Sequence, residues 1–392
     1  METQLKETPK LDIVEEYENN VATDVEVERQ EDETSLDSEK KEPWDPNRIR
    51  VDAKMFSLRQ VLDMIKDGDL ELAPDFQRLE VCKPRQKCQL IESILLRIPL
   101  PAFYFSTLED GKMQVVDGVQ RLAAVRDFAS DKYALQGLEY LGDELQGKTY
   151  SDLERTTWLR RFGQTQLIVH VIDPQTPETV KFNIFKRINT GGQPLNAQEI
   201  RHCMSGKKSR ELLKELTALP SFNDATNYKI ANHIHMVDRE VALRFVAFRT
   251  IGYDNYHNYD RMDDFLTKAT TKIDKEFSLE DIRNCVGNFD RAMQNAHLLF
   301  AEYAFRKWLI DPNPPNKLNP FNKALFEVWS VTLSKYNWQT LAPYRDEIVQ
   351  SARQMMTDDT KFIESISVGT AAVATVNKRF SEVRNLVENI VK

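Results

Sequence analysis

Between residues 113 and 130 the chain passes from a short strand-type run to a helical stripe across a single Asp-Gly step. Met113–Val116 reads Met-Gln-Val-Val, Asp117-Gly118 breaks the run, and Leu122, Val125 and Phe128 then recur at helical spacing through Gln120–Ser130. Upstream, Ala102–Thr107 is a short aromatic strand and Glu109-Asp110-Gly111 a hairpin-type turn into the second strand. A strand hairpin that hands over directly to a helix makes this part of the chain α+β.

The neighbouring segments extend that pattern. Met55–Lys66 has apolar Phe56, Leu58, Val61, Leu62 and Ile65 near helical spacing and is stopped by Asp67-Gly68-Asp69. Gln86–Arg97 is a second amphipathic helix, closed by Pro99 and Pro101. Thr165–Ile172 is a third strand, rich in β-branched residues. Pro177–Ile188 is helical and capped by Gly191-Gly192, and Asn196-Ala197-Gln198-Glu199 is a capping box that opens the next helix. From about residue 205 the pattern is helical, interrupted by the Pro-rich stretch Asp311–Pro320.

Charge separates the N-terminus from the rest. Residues 1–43 hold 15 acids and 5 bases, so of the net −8 they carry −10 and the remainder +2. Acidic, aperiodic and poor in aromatics, they are expected to be a disordered tail. The expected domains are therefore the tail 1–43, an α+β domain 44–204 and a helical domain 205–392. No apolar run approaches the roughly 18 residues of a membrane helix, and METQLKETPK has no signal-peptide stretch. A cytoplasmic protein without membrane partners is expected. Cys82, Cys88, Cys203 and Cys285 form no CxxC pair, so neither a zinc site nor a disulfide framework is expected.

The chemistry concentrates at Asp117–Arg121. A helix N-terminus presents unused backbone N–H groups and a partial positive charge, which suits an anion. Gly118 lets the backbone approach an oxygen, Arg121 is a permanently charged fork suited to phosphate, and Gln120 adds neutral donors. Asp117 is a candidate for holding a metal ion, a ribose hydroxyl or the turn itself. Gln77-Arg78 lies on an extended, proline-marked segment. Arg187, Asn189, Gln198, Glu199 and Arg201 are candidates for one shared face, either supporting the site or bracing two helices. Lys207, Lys208 and Arg210 form a basic cluster opening a helix. His170 alternates with Val169 and Val171 and reads as structural; His233 and His235 read as surface or core-edge residues.

Four ordered motifs together carry a resemblance: Pro-x-Phe-Gln-Arg at 74–78, the run ending Ile-Pro-Leu-Pro at 98–101, Val-Val-Asp-Gly-x-Gln-Arg-Leu at 115–122, and Phe-x-Arg-Ile-Asn-Thr-Gly-Gly-x-x-Leu-Asn-x-Gln-Glu-Ile-Arg at 185–201. Their order and spacing resemble the N-terminal domain family of GmrSD restriction endonucleases, also labelled domain of unknown function 262. Met262–Leu266 and Asn322–Glu327 resemble that family's helical half. The resemblance implies a small mixed sheet similar to ParB and sulfiredoxin, and a nucleotide held by its phosphates. Gly118-Val119-Gln120-Arg121 stands where ParB proteins carry their phosphate-binding turn, with Ala124 as the following small residue. Val119 replaces a glutamine of the usual motif, and Leu79-Glu80-Val81-Cys82 stands where the family tends to carry a Trp.

The expected function is nucleotide binding, with NTP hydrolysis as an open extension, in a restriction or anti-phage system that works on or with DNA. Phosphates would rest on Gly118, with Gln77, Arg78, Gln120 and Arg121 around them and Mg²⁺ on Asp117. Asp117, Gln120 and Arg121 are the catalytic candidates. Two alternatives stay open: a metal-dependent nuclease using Asp117 and Glu199, and a non-enzymatic DNA-binding or adaptor protein switched by nucleotide, with Lys207, Lys208 and Arg210 on phosphates. His170, His202, His233, His235, His257 and His297 show no HNH spacing, and no P-loop or Ser-His-Asp set occurs, so a separate nuclease subunit is a candidate partner.

Overall fold

The computed structural model describes residues 13–18, 21–29, 49–72, 84–108, 110–188, 195–233, 235–311 and 317–391. Gln77, Arg78, Asn189, Gly191 and Gly192 lie outside them. The chain divides into two compact units, one of residues 40–204 and one in which residues 1–39 join 205–392. The architecture is mixed α+β: a two-stranded sheet, a five-stranded mixed sheet and a helical C-terminal region. Among the described residues no helix is long and apolar enough to cross a membrane.

The expectation of a disordered 1–43 fails for its described part. β1 (Glu15–Glu18) and β2 (Val21–Glu26) pair antiparallel. Val25 is fully buried in the helical core, and β2 docks through Glu26 N–H to Phe321 O (2.9 Å) and Phe321 N–H to Asp24 O (2.7 Å). The acids that suggested disorder face cations. Asp24 pairs with Arg306, Glu26 with Lys307 (2.6 Å), and Glu28 with Arg244 (2.7 Å). A composition rule counts these carboxylates as solvated charge; the fold pairs them.

In the 40–204 unit, β3 (Val51–Ser57) leads into α1 (Leu58–Asp67), and β4 (Leu70–Glu71) and α2 (Pro84–Leu95) follow. Ser57 caps α1 through its hydroxyl, and Gly68 ends it in the left-handed region. β5 (Phe103–Thr107) and β6 (Met113–Asp117) form the expected hairpin, and α3 (Val119–Ala129) leaves it. Then come α4 (Gly142–Leu145), α5 (Thr157–Gln164), β7 (Gln166–Ile172), α6 (Glu178–Ile188) and α7 (Ala197–Met204). The sheet order is β3-β7-β5-β6-β4, with β3–β7 and β5–β6 antiparallel and β5–β7 and β4–β6 parallel.

Both faces of the central strands are covered. Phe103, Phe105, Val115, Val169 and Val171 meet Val61, Ile91, Leu122, Phe128 and Phe162 on one side. Val116 and Ile172 meet Phe182, Phe185 and Ile200 from α6 and α7 on the other. A strand buried on both faces reads as a continuous apolar run, which is why Val115-Val116 does not alternate. Glu92 fixes the loop after α3: its buried carboxylate accepts from Glu139 N (3.0 Å), Tyr140 N (2.7 Å) and Leu141 N (2.8 Å). Burial opposes its ionisation, but the three amides outweigh that and hold the carboxyl below the usual range.

The helical unit comprises α8 (Lys207–Ala218), α9 (Pro220–Ala225), α10 (Val237–Thr250), α11 (Met262–Glu276), α12 (Leu279–Phe300), α13 (Lys323–Leu333), α14 (Trp338–Leu341), α15 (Arg345–Asp358), α16 (Thr360–Ser365) and α17 (Val373–Ile390). Every residue of α13 is buried. Glu327, near its middle, is fully buried between Arg244 of α10 (2.5 Å) and Arg379 of α17, itself fully buried. Burial works against the Glu28 carboxylate, but Arg244 and Lys323 outweigh it and hold its pKa down. Glu28 thereby joins a connected set of charges with Arg244, Glu240, Lys323, Glu327 and Arg379.

Candidate functional site

Asp117 is the last residue of β6 and Val119 the first of α3, so Gly118 makes the whole turn. Its backbone sits at φ 94°, ψ 9°, in the left-handed region. A Cβ there would lie 2.3 Å from Phe103 Cδ1 and 2.7 Å from Cε1, inside any allowed contact. Glycine is thus required by the dihedral and by the β5 ring packed beneath it. Gly118→Ala should cost at least about 2 kcal/mol, combining left-handed strain with overpacking. An unchanged thermal unfolding midpoint would show that the Phe103 ring yields freely.

Gly118 provides no side-chain cap, and the first helical bond of α3 runs from Leu122 N–H to Gly118 O (2.9 Å). The amides ahead of Leu122 have no helical acceptor, and they point where the helix dipole is positive. Asp117 stands beside them, its side chain about a third exposed. Its Oδ2 takes Arg121 Nη2 (2.9 Å), while Oδ1 accepts no hydrogen bond from a described residue.

Arg121 differs from the sequence expectation of a fork open to phosphate. Nη1 donates to Pro101 O (2.5 Å), and Nη2 donates to Ala102 O (3.1 Å) and to Asp117. The guanidinium lies 4.1 Å from the Phe103 ring centroid. Burial pushes its pKa down and Asp117 pulls it back up, but a guanidinium stays charged. In this structure Arg121 is a brace that locks Asp117 and the Pro101-Ala102 backbone to the start of α3. The reason is local: residues i and i+4 of one helical path meet, and the loop entering β5 passes beneath them.

Cross-strand register adds residues that the sequence reading set aside. Asp117 is opposite Tyr104, Tyr104 is opposite His170, and His170 is opposite Ala53. Tyr104 and His170 stack with ring centroids 4.8 Å apart at 26°. Asp117, Tyr104 and His170 thus form one half-buried row across the sheet. The signal was present in β7, where Leu167, Val169 and Val171 belong to the core and His170 falls on the alternate face.

Of the 185–201 segment, residues 195–201 brace α7 against α6. Asn196 Oδ1 accepts from Glu199 N (2.8 Å) and Glu199 Oε2 accepts from Asn196 N (2.7 Å), the expected capping box. Gln198 Oε1 accepts from Arg201 Nε (3.0 Å), and the Arg201 guanidinium lies 5.6 Å from the Phe182 ring centroid on α6. Gln198, Glu199 and Arg201 are buried; Arg187 is exposed at the end of α6. Glu199, whose carboxylate closes the cap, is poorly placed to be a second metal ligand. Among the described residues no group of three or more His, Cys, Asp or Glu is arranged to hold a metal ion. A single carboxylate at Asp117 fits Mg²⁺ only in the way Mg²⁺ commonly binds, through one protein oxygen and a ligand's own phosphates.

In the basic cluster opening α8, two of the three cations are held by backbone carbonyls. Lys208 Nζ donates to Phe277 O (2.9 Å), Arg210 is buried and donates to Ser205 O (2.9 Å), and Lys207 is exposed opposite Glu211. Lys208 and Arg210 thus satisfy carbonyls that the helix ends leave over. His233 Nδ1 accepts from His235 N (3.2 Å), a local turn contact.

No curated protein and no solved structure matches the chain. One family model matches, and it ends at Met204, short of the helical unit. Residues 58–204, which include the Asp117–Gly118 corner and the α6–α7 brace, match the model of the GmrSD restriction endonuclease N-terminal domain.

Proposed function

We propose that this protein is a component of a restriction-type defence system in which the 40–204 unit binds a nucleotide through its phosphates. The observation that carries the proposal is the first turn of α3, opened by a left-handed glycine that offers no side-chain cap and flanked by Asp117, whose Oδ1 accepts no hydrogen bond from a described residue. Backbone amides grip a phosphate there, and Asp117 serves Mg²⁺ that the phosphates carry. Arg121 holds the carboxylate and the loop in place, because its guanidinium is already committed. Val119 leaves the turn one side-chain donor short of the usual motif, so the proposal is one of binding, with hydrolysis an additional step. The ParB-like character of the unit, its action on DNA and a separate nuclease subunit belong to the same proposal.

The test is a thermal-shift and calorimetric panel of ATP, GTP, CTP and UTP with Mg²⁺. At least one nucleotide should stabilise the protein, by about 2.7 kcal/mol at 100 times Kd. Asp117→Asn should weaken the Mg²⁺-dependent part of that affinity at least about tenfold, or 1.4 kcal/mol. If all four leave the midpoint unmoved at millimolar concentration, the corner is a structural turn and the proposal fails.

A further inference from the structure

At the far end of α3, roughly 16 Å from Gly118 at 1.5 Å per residue, lies a cleft of about 670 Å³ between α1, α3 and α5. Leu62, Ile65 and Phe162 supply its apolar lining, and Arg59, Lys66 and Arg126 face one carboxylate, Asp63. Its volume falls in the range of small-molecule sites.

Arg59 lies against Gly163 of α5, yet its charge is paired with no described carboxylate. It sits in the first turn of α1, where a cation opposes the helix dipole, and that turn contains no acid. Arg59, Asp63 and Lys66 stand at i, i+4 and i+7, on one helical face. None of them makes a hydrogen bond or ion pair with a described residue, although Arg59 and Asp63 have the spacing of a helical pair. Lys66 and Arg126 do suit the C-terminal turns they occupy, and Arg126 already binds Asp127 through Nε and Nη2. Tyr150 adds a hydroxyl, and burial pushes its pKa up, which keeps it a donor. Asp131 and Glu154 stand within electrostatic reach of Tyr150, and Asp131 is bonded to Ser151.

We infer that this cleft is a second small-ligand site, separate from the Asp117–Gly118 corner, for a hydroxyl-bearing phosphate monoester. Arg59 and Lys66 take the phosphate, Asp63 accepts from a ligand hydroxyl, and the apolar wall covers the rest. A guanidinium and an ammonium suit a dianion. A carboxylate set between them repels plain phosphate but favours a phosphate carried on a sugar, free or as part of a nucleotide.

Equilibrium binding to the full chain should use ribose 5-phosphate, the four nucleoside 5′-monophosphates and inorganic phosphate as probes. Saturable binding of ribose 5-phosphate or a monophosphate is expected, with inorganic phosphate at least tenfold weaker. Ribose 5-phosphate equal to the nucleotides identifies a sugar phosphate; nucleotides alone identify a base-bearing ligand; both support the site. Arg59→Ala and Lys66→Ala should each weaken binding at least tenfold, and Asp117→Asn should leave it unchanged. Arg59 is exposed, so Arg59→Ala should keep or raise the unfolding midpoint while the affinity falls. The inference is overturned if no probe saturates, if inorganic phosphate binds as well as its esters, or if both cation variants bind normally. Binding lost in Asp117→Asn but kept in Arg59→Ala would assign the probe to the other corner and equally overturn this one.

Discussion

Glu327→Ala is expected to lower the stability of the helical unit by about 3–5 kcal/mol, the range for breaking one partner of a buried ion pair. Glu327 is fully buried and answers two arginines, Arg244 and Arg379, so its loss strands positive charge in the core. Arg379 keeps its bonds to Thr370 O (2.6 Å) and Ser365 O (3.3 Å), and Arg244 keeps Glu28 and Glu240. Those carbonyls and neighbours limit the damage without removing it. At roughly 2–4 °C per kcal/mol for a unit of this size, the midpoint should fall by roughly 6–20 °C. The double variant Glu327→Leu with Arg379→Met should be milder than Glu327→Ala, since it buries no unanswered charge. Calorimetric unfolding of the variants checks both statements; a single variant within about 1 kcal/mol of the parent would mean that the charges are reached by solvent.

Removing residues 1–29 should be at least as damaging. The deletion strips Val25 from the core and takes away the carboxylates that answer Arg306, Lys307 and part of the Arg244–Lys323 group. Lys307 and Lys323 are buried, and an unpaired buried ammonium costs several kcal/mol. The shortened chain is expected to lose its cooperative unfolding transition in the helical unit and to expose apolar surface to a hydrophobic dye. A shortened chain that melts within a few degrees of the full one would return the segment to the status of a tail. Glu28→Gln is the gentler check and should cost about 1.5–3 kcal/mol, the worth of a hydrogen bond to a charged group.

Much of the α+β unit was legible because its signals are local. The Val115–Leu122 switch, the Asn196–Glu199 capping box and the stripe of α2 depend only on nearby residues, and each is found within a few residues of its expected place. The strand Val51–Ser57 was partly absorbed into an expected helix from Met55, because Phe56 belongs by spacing to either pattern; pairing with β7 across more than 100 residues decides it. The hairpin of β1 and β2 was missed for the same reason in stronger form. Its acids become favourable only against Arg244, Arg306, Lys307 and Lys323, none of which is near in sequence. At the site, Gly118 and Asp117 were readable as turn and carboxylate. The role of Arg121 was not, because its acceptors Pro101 O and Ala102 O are backbone atoms on a loop 19–20 residues away. Tyr104 and His170 entered only through strand register, which composition cannot specify.

The pairing of β2 and the residues after it with Asn322 and Thr370 has a consequence for biosynthesis. Glu26 waits for Asn322, 296 positions later, and Glu28 for Thr370, 342 positions later. At 5–20 residues per second, roughly 15–60 s separate the emergence of the first of these partners from that of the second. The whole 40–204 unit leaves the ribosome in that interval. The helical unit is therefore closed late, by a segment made well before its partners, and any factor that shields that acidic nascent segment would set the pace of the closure.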